Sequence, residues 1–250
     1  MKRLVLGAAL LGAALTIGLA AQPAALPRVL YVTQSAGFKH DVLPLSEELL
    51  PQIGARERAF DVTVAHDVSA ITAEGLRPYG AIVFYTTGEL PMSDAQKTAF
   101  MDFIKGGRGF VGIHSASDTF YKWPEYGEMI GGYFDEHPWN TTVTMKVEVR
   151  DFPATKHLGP TWTIADEIYQ FRNYTRKDKT VLLSLDTSSV DLKAKGVKRT
   201  DGDFANAWYK THGRGRVFYT ALGHRPEVWR DQAFQKHLAG GITWVLSNGH

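Results

Sequence analysis

Four short apolar runs, each closed by turn residues and separated by segments of helical character, fix what the first half of the chain can become. They are RVLYVTQ (Arg28–Gln34), FDVTVAH (Phe60–His66), GAIVFYTTG (Gly80–Gly88) and GFVGIH (Gly109–His114). Short β-branched and aromatic runs between turn residues read as buried strands. Between the first two lies LPLSEELLPQIGARERAF, apolar at helical spacing, in which Pro51 predicts a break or a kink. Between the third and fourth, SDAQKTAFMDFIKGG predicts a helix with Ser93 as N-cap, Phe100, Phe103 and Ile104 on its apolar face, and Gly106-Gly107 as its stop. Strands that alternate with helices imply a parallel, doubly wound sheet.

The second half reads differently. TTVTMKVEVRD (Thr141–Asp151) alternates at period two, as a half-exposed strand does; DEIYQF, TVLLSLD, NAWYKTH and GRVFYTALG add further short strands. QAFQKHLAGGITWVL (Gln232–Leu246) predicts a closing helix. Antiparallel strands added to an α/β core, in one domain from residue 28 to residue 248, account for this pattern.

The N-terminus stands apart. Lys2-Arg3 precede an uncharged apolar run from Leu4 to Ala21 that ends in small residues, the form of a secretory signal peptide over residues 1–21. An uncleaved anchor is the alternative, since the run approaches the roughly 20 residues that span a bilayer. Cleavage removes two of the 28 basic residues and leaves 26 against 26 acidic ones. No basic excess then remains to attract nucleic acid. Export to the periplasm or medium follows as the expectation, with no stable membrane insertion afterwards and a homo-oligomer left open. The chain has no cysteine, which excludes disulfides, thiolate catalysis and Cys-ligated zinc.

The stretch GRGFVGIHSASDTFY (Gly107–Tyr121) has the form of a nucleophile elbow, in which a sharp turn after a strand pushes one side chain into a cleft. Here that side chain is His114. In open parallel sheets ligands bind beyond the carboxyl ends of the strands. Strand one exits into SAGFKHD with His40, strand four into His114, and GRVFYTALGHRPEVW into His224. MIGGYFDEHPWN adds Glu136, His137 and Trp139, and ADEIYQF adds Asp166, Glu167 and Tyr169. With Ser115 and Tyr121 beside the elbow, these make a candidate surface for a polyhydroxyl ligand: aromatic faces stack on C–H groups while carboxylate and amide edges bind hydroxyls. A solvated acidic edge on a hydrophobic cluster is the bland alternative. His66, His157, His212, His237 and His250 read as capping, surface or helix-terminal residues.

The ordered set GFKH, GGRGFVGIHSASD, GGYFDEHPW, DEIYQF and GRGRVFYTALGH resembles the ThuA-like, trehalose-utilisation family from Arg28 to about Leu246. The resemblance implies a class I glutamine amidotransferase-like fold, a three-layer flavodoxin-like sandwich. In amidotransferases the elbow carries the catalytic cysteine; a histidine there cannot form the thioester, so glutamine hydrolysis is excluded. The family's association with disaccharide use and 3-keto sugars implies a sugar or 3-keto-glycoside as ligand.

Three functions follow as expectations. The first is an exported enzyme, a glycoside-cleaving hydrolase or lyase, with His114 as base and His40 or His224 as acid. In it Asp166 or Glu167 orients an imidazole or binds hydroxyls, and Tyr169 with Trp139 shapes the sugar platform; a two-carboxylate hydrolase would use Glu136 and Glu167. The second is a carbohydrate-binding module without catalysis. The third is a metal-dependent sugar hydrolase, with His40, His114, His137 and His224 supplying zinc or manganese ligands, although no H-E-x-x-H pair is present. The first two need no cofactor. A nucleotide or flavin is disfavoured by the turn QSAGFKHD, which lacks a phosphate-binding glycine pattern.

Overall fold

The computed structural model describes residues 25–247. The leader expected at residues 1–21 and His250 lie outside the described residues. In chain order the elements are β1 (Arg28–Val32), α1 (Leu43–Arg56), β2 (Asp61–Ala65), β3 (Ala81–Phe84), α2 (Asp94–Lys105), β4 (Gly109–Ile113), α3 (Pro124–Ile130), β5 (Tyr133–Val147), β6 (Thr161–Arg172), β7 (Thr180–Leu185), β8 (Ala205–His212), β9 (Gly215–Thr220), α4 (Pro226–Arg230) and α5 (Gln232–Leu246). A one-turn 3-10 helix, His114–Asp118, follows β4 directly. Among the described residues no helix is long and apolar enough to cross a membrane.

The strands form one sheet in the order β2-β1-β3-β4-β9-β8-β7-β5-β6. From β2 to β9 the pairs are parallel, and from β9 to β6 they are antiparallel. Period-two geometry splits each buried strand between two cores. Val29 and Tyr31 of β1 pack with Leu50 and Ile53 of α1 and Phe234, Leu238 and Ile242 of α5. Leu30 and Val32 face the other way, to Phe100 and Ile104 of α2 and Tyr126 and Met129 of α3. Both faces are therefore covered, which is why the parallel runs carry almost no polar residue. Each fully buried branched or aromatic side chain contributes about 1.5–3 kcal/mol. The three-layer α/β sandwich read from the sequence is the observed architecture.

Ser93 caps α2 as predicted, in a reciprocal capping box with Gln96. Several boundaries differ. Pro51 does not interrupt α1, which runs through it from Leu43 to Arg56; Leu50 and Ile53, both fully buried, pin the helix on either side. The first strand of the antiparallel half begins at Tyr133 rather than Thr141, because two irregularities, between Phe134 and Glu136 and between Glu136 and Trp139, break the alternation. His237, read as a helix-terminal or surface residue, is wholly buried on the inner face of α5, with its Nδ1–H donating to the Ala154 carbonyl at 2.8 Å.

Candidate functional site

Three loops at the carboxyl ends of β1, β4 and β9 deliver His40, His114 and His224 to one point. The β1–α1 loop is tied to the end of β3: Ala36 N–H donates to Thr87 O, and Thr87 Oγ1–H donates to Phe38 O, both at 2.8 Å. The two backbones approach so closely that a Cβ on Gly88, at φ +74°, would meet Gly37 N at 2.6 Å. This brings His40 in, 4% exposed, with its ring 5.0 Å from that of His114 and 5.3 Å from that of His224.

His114 sits at the elbow itself and adopts φ +46°, a left-handed conformation a side chain tolerates only where its surroundings hold it. What holds it is the Ala221 carbonyl, which accepts from His114 Nδ1–H at 2.6 Å. A carbonyl can only accept, so Nδ1 carries a proton, and in the neutral form of the ring Nε2 offers its lone pair. That Nε2 lies 2.9 Å from Tyr169 Oη, which donates to it, 3.2 Å from His224 Nδ1 and 3.5 Å from Glu167 Oε2.

The β9–α4 loop is held by Asp166, a fully buried carboxylate that accepts from Gly223 N–H at 2.6 Å and from Arg225 N–H at 3.2 Å. Burial pushes the Asp166 carboxyl up to about 6, against the pull of His114 and these backbone donors. Gly223 takes φ +121°, a conformation only glycine reaches without strain, and this aims His224 back at the cluster. Asp166 thus positions a loop rather than an imidazole.

Glu167 points the other way from the same strand. Its Oε2 is 3.4 Å from His224 Nδ1, and its Oε1 is 3.5 Å from Nδ1 of the half-exposed His137. Burial raises the Glu167 carboxyl, but contact with His114 and the charge of His114, His224 and His137 outweigh it, so the net shift is down. Burial, then His114, hold His40 down to about 3; the same two causes lower His224. His40 and His224 are thus held toward the neutral form, beside a carboxylate held toward the ionised one.

Above it opens a cleft of about 400 Å³ lined by Phe38, His40, Asp118, Phe134, His137, Glu167, Tyr169 and His224, a size usual for small-molecule sites. Phe38 stands at its mouth, 66% exposed. Phe134 packs on both His137 and Tyr169. Burial raises the Asp118 carboxyl even though Tyr121 Oη–H donates to it at 2.5 Å. A larger recess of about 520 Å³ lies elsewhere, against α1 and α5. Its Arg58, Lys156 and Lys236 are exposed to solvent.

Of the sequence candidates, the structure brings His40, His114, His137, Glu167, Tyr169 and His224 together. Tyr121 supports the wall through Asp118. Ser115 is buried with its hydroxyl unpartnered and does not line the cleft. Trp139 does not reach it: the ring is in the core against Phe204, and Nε1–H donates to Asp191 O. Glu136 lies toward the Gly196 loop, outside the cluster. Phe38, Asp118 and Phe134 were not singled out from the sequence. The signal for Phe38 and Asp118 was position, immediately beyond the carboxyl ends of β1 and β4; the register shifts in β5 hid Phe134.

The profile of the ThuA family, described as trehalose utilisation, matches residues 28–245. Among solved structures, a ThuA-like protein from Bacteroides uniformis is 26% identical, with a TM-score of 0.75, covering 91% of this chain and 94% of that one. A ThuA-like protein from Parabacteroides merdae is 20% identical at a TM-score of 0.70, covering 89% and 90%. A protein from Thermoplasma acidophilum, described as part of a GMP synthase, shares the fold at 13% identity and a TM-score of 0.53, covering 89% and 94%. No curated protein matches the chain.

Proposed function

Because the chain belongs to the ThuA, trehalose-utilisation, family, with a role in sugar catabolism, we propose that it is an exported enzyme that converts a sugar or 3-keto-glycoside by acid–base chemistry in the Phe38–Glu167 cleft. Export rests on the basic, apolar and small-residue pattern of residues 2–21. One observation supports the chemistry above the others. Two carboxyl groups face one cleft with environments that push them in opposite directions, Glu167 down and Asp118 up. Such a pair separates a base side from an acid side.

A 3-keto group acidifies the proton on C2. His137, backed by Glu167 at 3.5 Å through Nδ1, takes that proton with Nε2. Negative charge develops on the C3 oxygen and is met by the His40–His224 floor. The glycosidic oxygen leaves C1 with a proton from Asp118, a C1–C2 double bond forms, and water then adds across it. Elimination and hydration together amount to hydrolysis. The base here is His137 rather than His114, because the His114 ring is wholly buried and does not line the cleft. His114 instead anchors the floor. Phe38 and Phe134 offer the aromatic faces a sugar ring stacks on.

The test is product formation from trehalose and from its 3-keto derivative. His137→Ala and Asp118→Asn should each lower turnover by about 10²–10⁴-fold, the usual yield of a positioned acid or base, with far-UV circular dichroism unchanged. Turnover equal to that of the wild type in both variants would refute these roles. Saturable sugar binding with no product would move the site to a recognition function.

A further inference from the structure

We infer that His114, His224 and Glu167, with His40 beside them, form a binding site for a divalent transition metal of the zinc class. The sugar reading is not needed for this; the packing of the polar atoms is.

His114 Nε2, His224 Nδ1 and Glu167 Oε2 stand at the corners of a nearly regular triangle, with sides of 3.2, 3.4 and 3.5 Å. Ligands at about 2.0–2.1 Å from a tetrahedral ion lie about 3.3–3.4 Å apart, whereas an octahedral ion at the same bond lengths would hold them at about 2.9 Å. One ligand atom of His40 lies within 4.8 Å of each of the three. Two or three imidazoles with one carboxylate suit zinc or cobalt, and offer too few oxygens for calcium or magnesium.

The hydrogen bonds leave this set incomplete. His114 Nε2 has one lone pair, yet Tyr169 Oη, His224 Nδ1 and Glu167 Oε2 all crowd it. A single proton on His224 Nδ1 serves His114 or Glu167, not both. His40, only 4% exposed, has an Nδ1 with no partner at all. A cation among the three takes a lone pair from each of His114 Nε2, His224 Nδ1 and Glu167 Oε2, in place of the Tyr169 and His224 contacts at Nε2.

The surroundings have the form of an outer ligand shell. The Ala221 carbonyl fixes the tautomer of His114, Asp166 fixes the backbone on both sides of His224, and His137 lies against the second oxygen of Glu167. Such partners orient metal ligands and set their basicity.

The experiment takes the full chain, stripped by a chelator and dialysed, and titrates it with zinc(II) by calorimetry and with cobalt(II) by visible absorption. One ion per chain is expected, with a higher Tm and the intense cobalt bands of a tetrahedral site. His224→Ala and Glu167→Gln should each weaken zinc binding at least tenfold. His66→Ala, which removes the imidazole paired with Glu47 elsewhere in the fold, should leave it unchanged. His224 is partly exposed, so its truncation tests ligation without opening the core. The absence of saturable binding by the folded chain, or unchanged affinity in both cluster variants, would overturn the inference. The titration reads no sugar chemistry, so this inference and the sugar reading fail separately.

Discussion

At the scale of the residue, two buried groups outside the reacting set decide how the site is held and how the fold responds to acid. Asp166 satisfies the N–H groups of Gly223 and Arg225 at once. An asparagine in its place can accept from one and must turn its own donor toward the other. Asp166→Asn should cost about 1–3 kcal/mol in denaturant unfolding and should lower turnover through the displaced His224; unchanged values of both would show that the loop holds its own shape. His237 is held neutral, its pKa lowered to about 4, first by burial and in spite of the Ala154 carbonyl. The unfolded chain takes up a proton near pH 6.5 while the folded chain refuses it until about pH 4. Stability from neutral His237 is thus full above about pH 6.5 and is lost as the pH falls through that window, by about 2 kcal/mol between about pH 7 and pH 5. The pH slope of unfolding measured for His237→Phe should be shallower than that of the wild type; parallel slopes would contradict this.

At the scale of the element, local signals and tertiary packing agree in the parallel half and part company beyond it. Ser93 caps α2 with Gln96, far from the cleft. Ser93→Ala should cost about 0.5–2 kcal/mol in thermal or denaturant unfolding and leave turnover at room temperature untouched. A change in activity would mean that α2 is coupled to the site. Strands β1, β3 and β4 were legible because burial on both faces leaves an unbroken apolar run, and the three histidines were legible because such strands aim their carboxyl ends at a common crevice. Strand β5 was not. Its irregularities around Glu136 turn His137 outward and Trp139 into the core, which alternation counted from Thr141 cannot foresee. His237 was missed for a related reason: a polar residue near a chain end reads as exposed until Phe234 and Leu238 show which face of α5 is inside.

At the scale of the whole molecule, the site exists because one sheet changes character half-way. The parallel half supplies His40, His114 and His224 from loops; the antiparallel half supplies His137, Glu167 and Tyr169 from strands. β6 is the edge strand, five steps from β4 in the sheet order. A twist of about 20–25° per step accumulates to roughly 100–125° over that distance, enough to carry the end of the β5–β6 pair over the ends of β4 and β9. No linear pattern encodes that meeting, which is why the sequence offers the cluster's members without their separations or the burial of His114 beneath the floor. At the elbow, the His114 ring is wholly buried and tied to the Ala221 carbonyl.

The most direct test of acid–base chemistry in this cleft is the fate of one proton. A 3-keto-glucoside incubated with the chain in D₂O should lose its C2 proton signal in ¹H NMR faster than in buffer, and at least about 10²-fold more slowly with His137→Ala. Cleavage with the C2 proton retained, or loss at the same rate in the variant, would contradict proton abstraction by the His137–Glu167 pair.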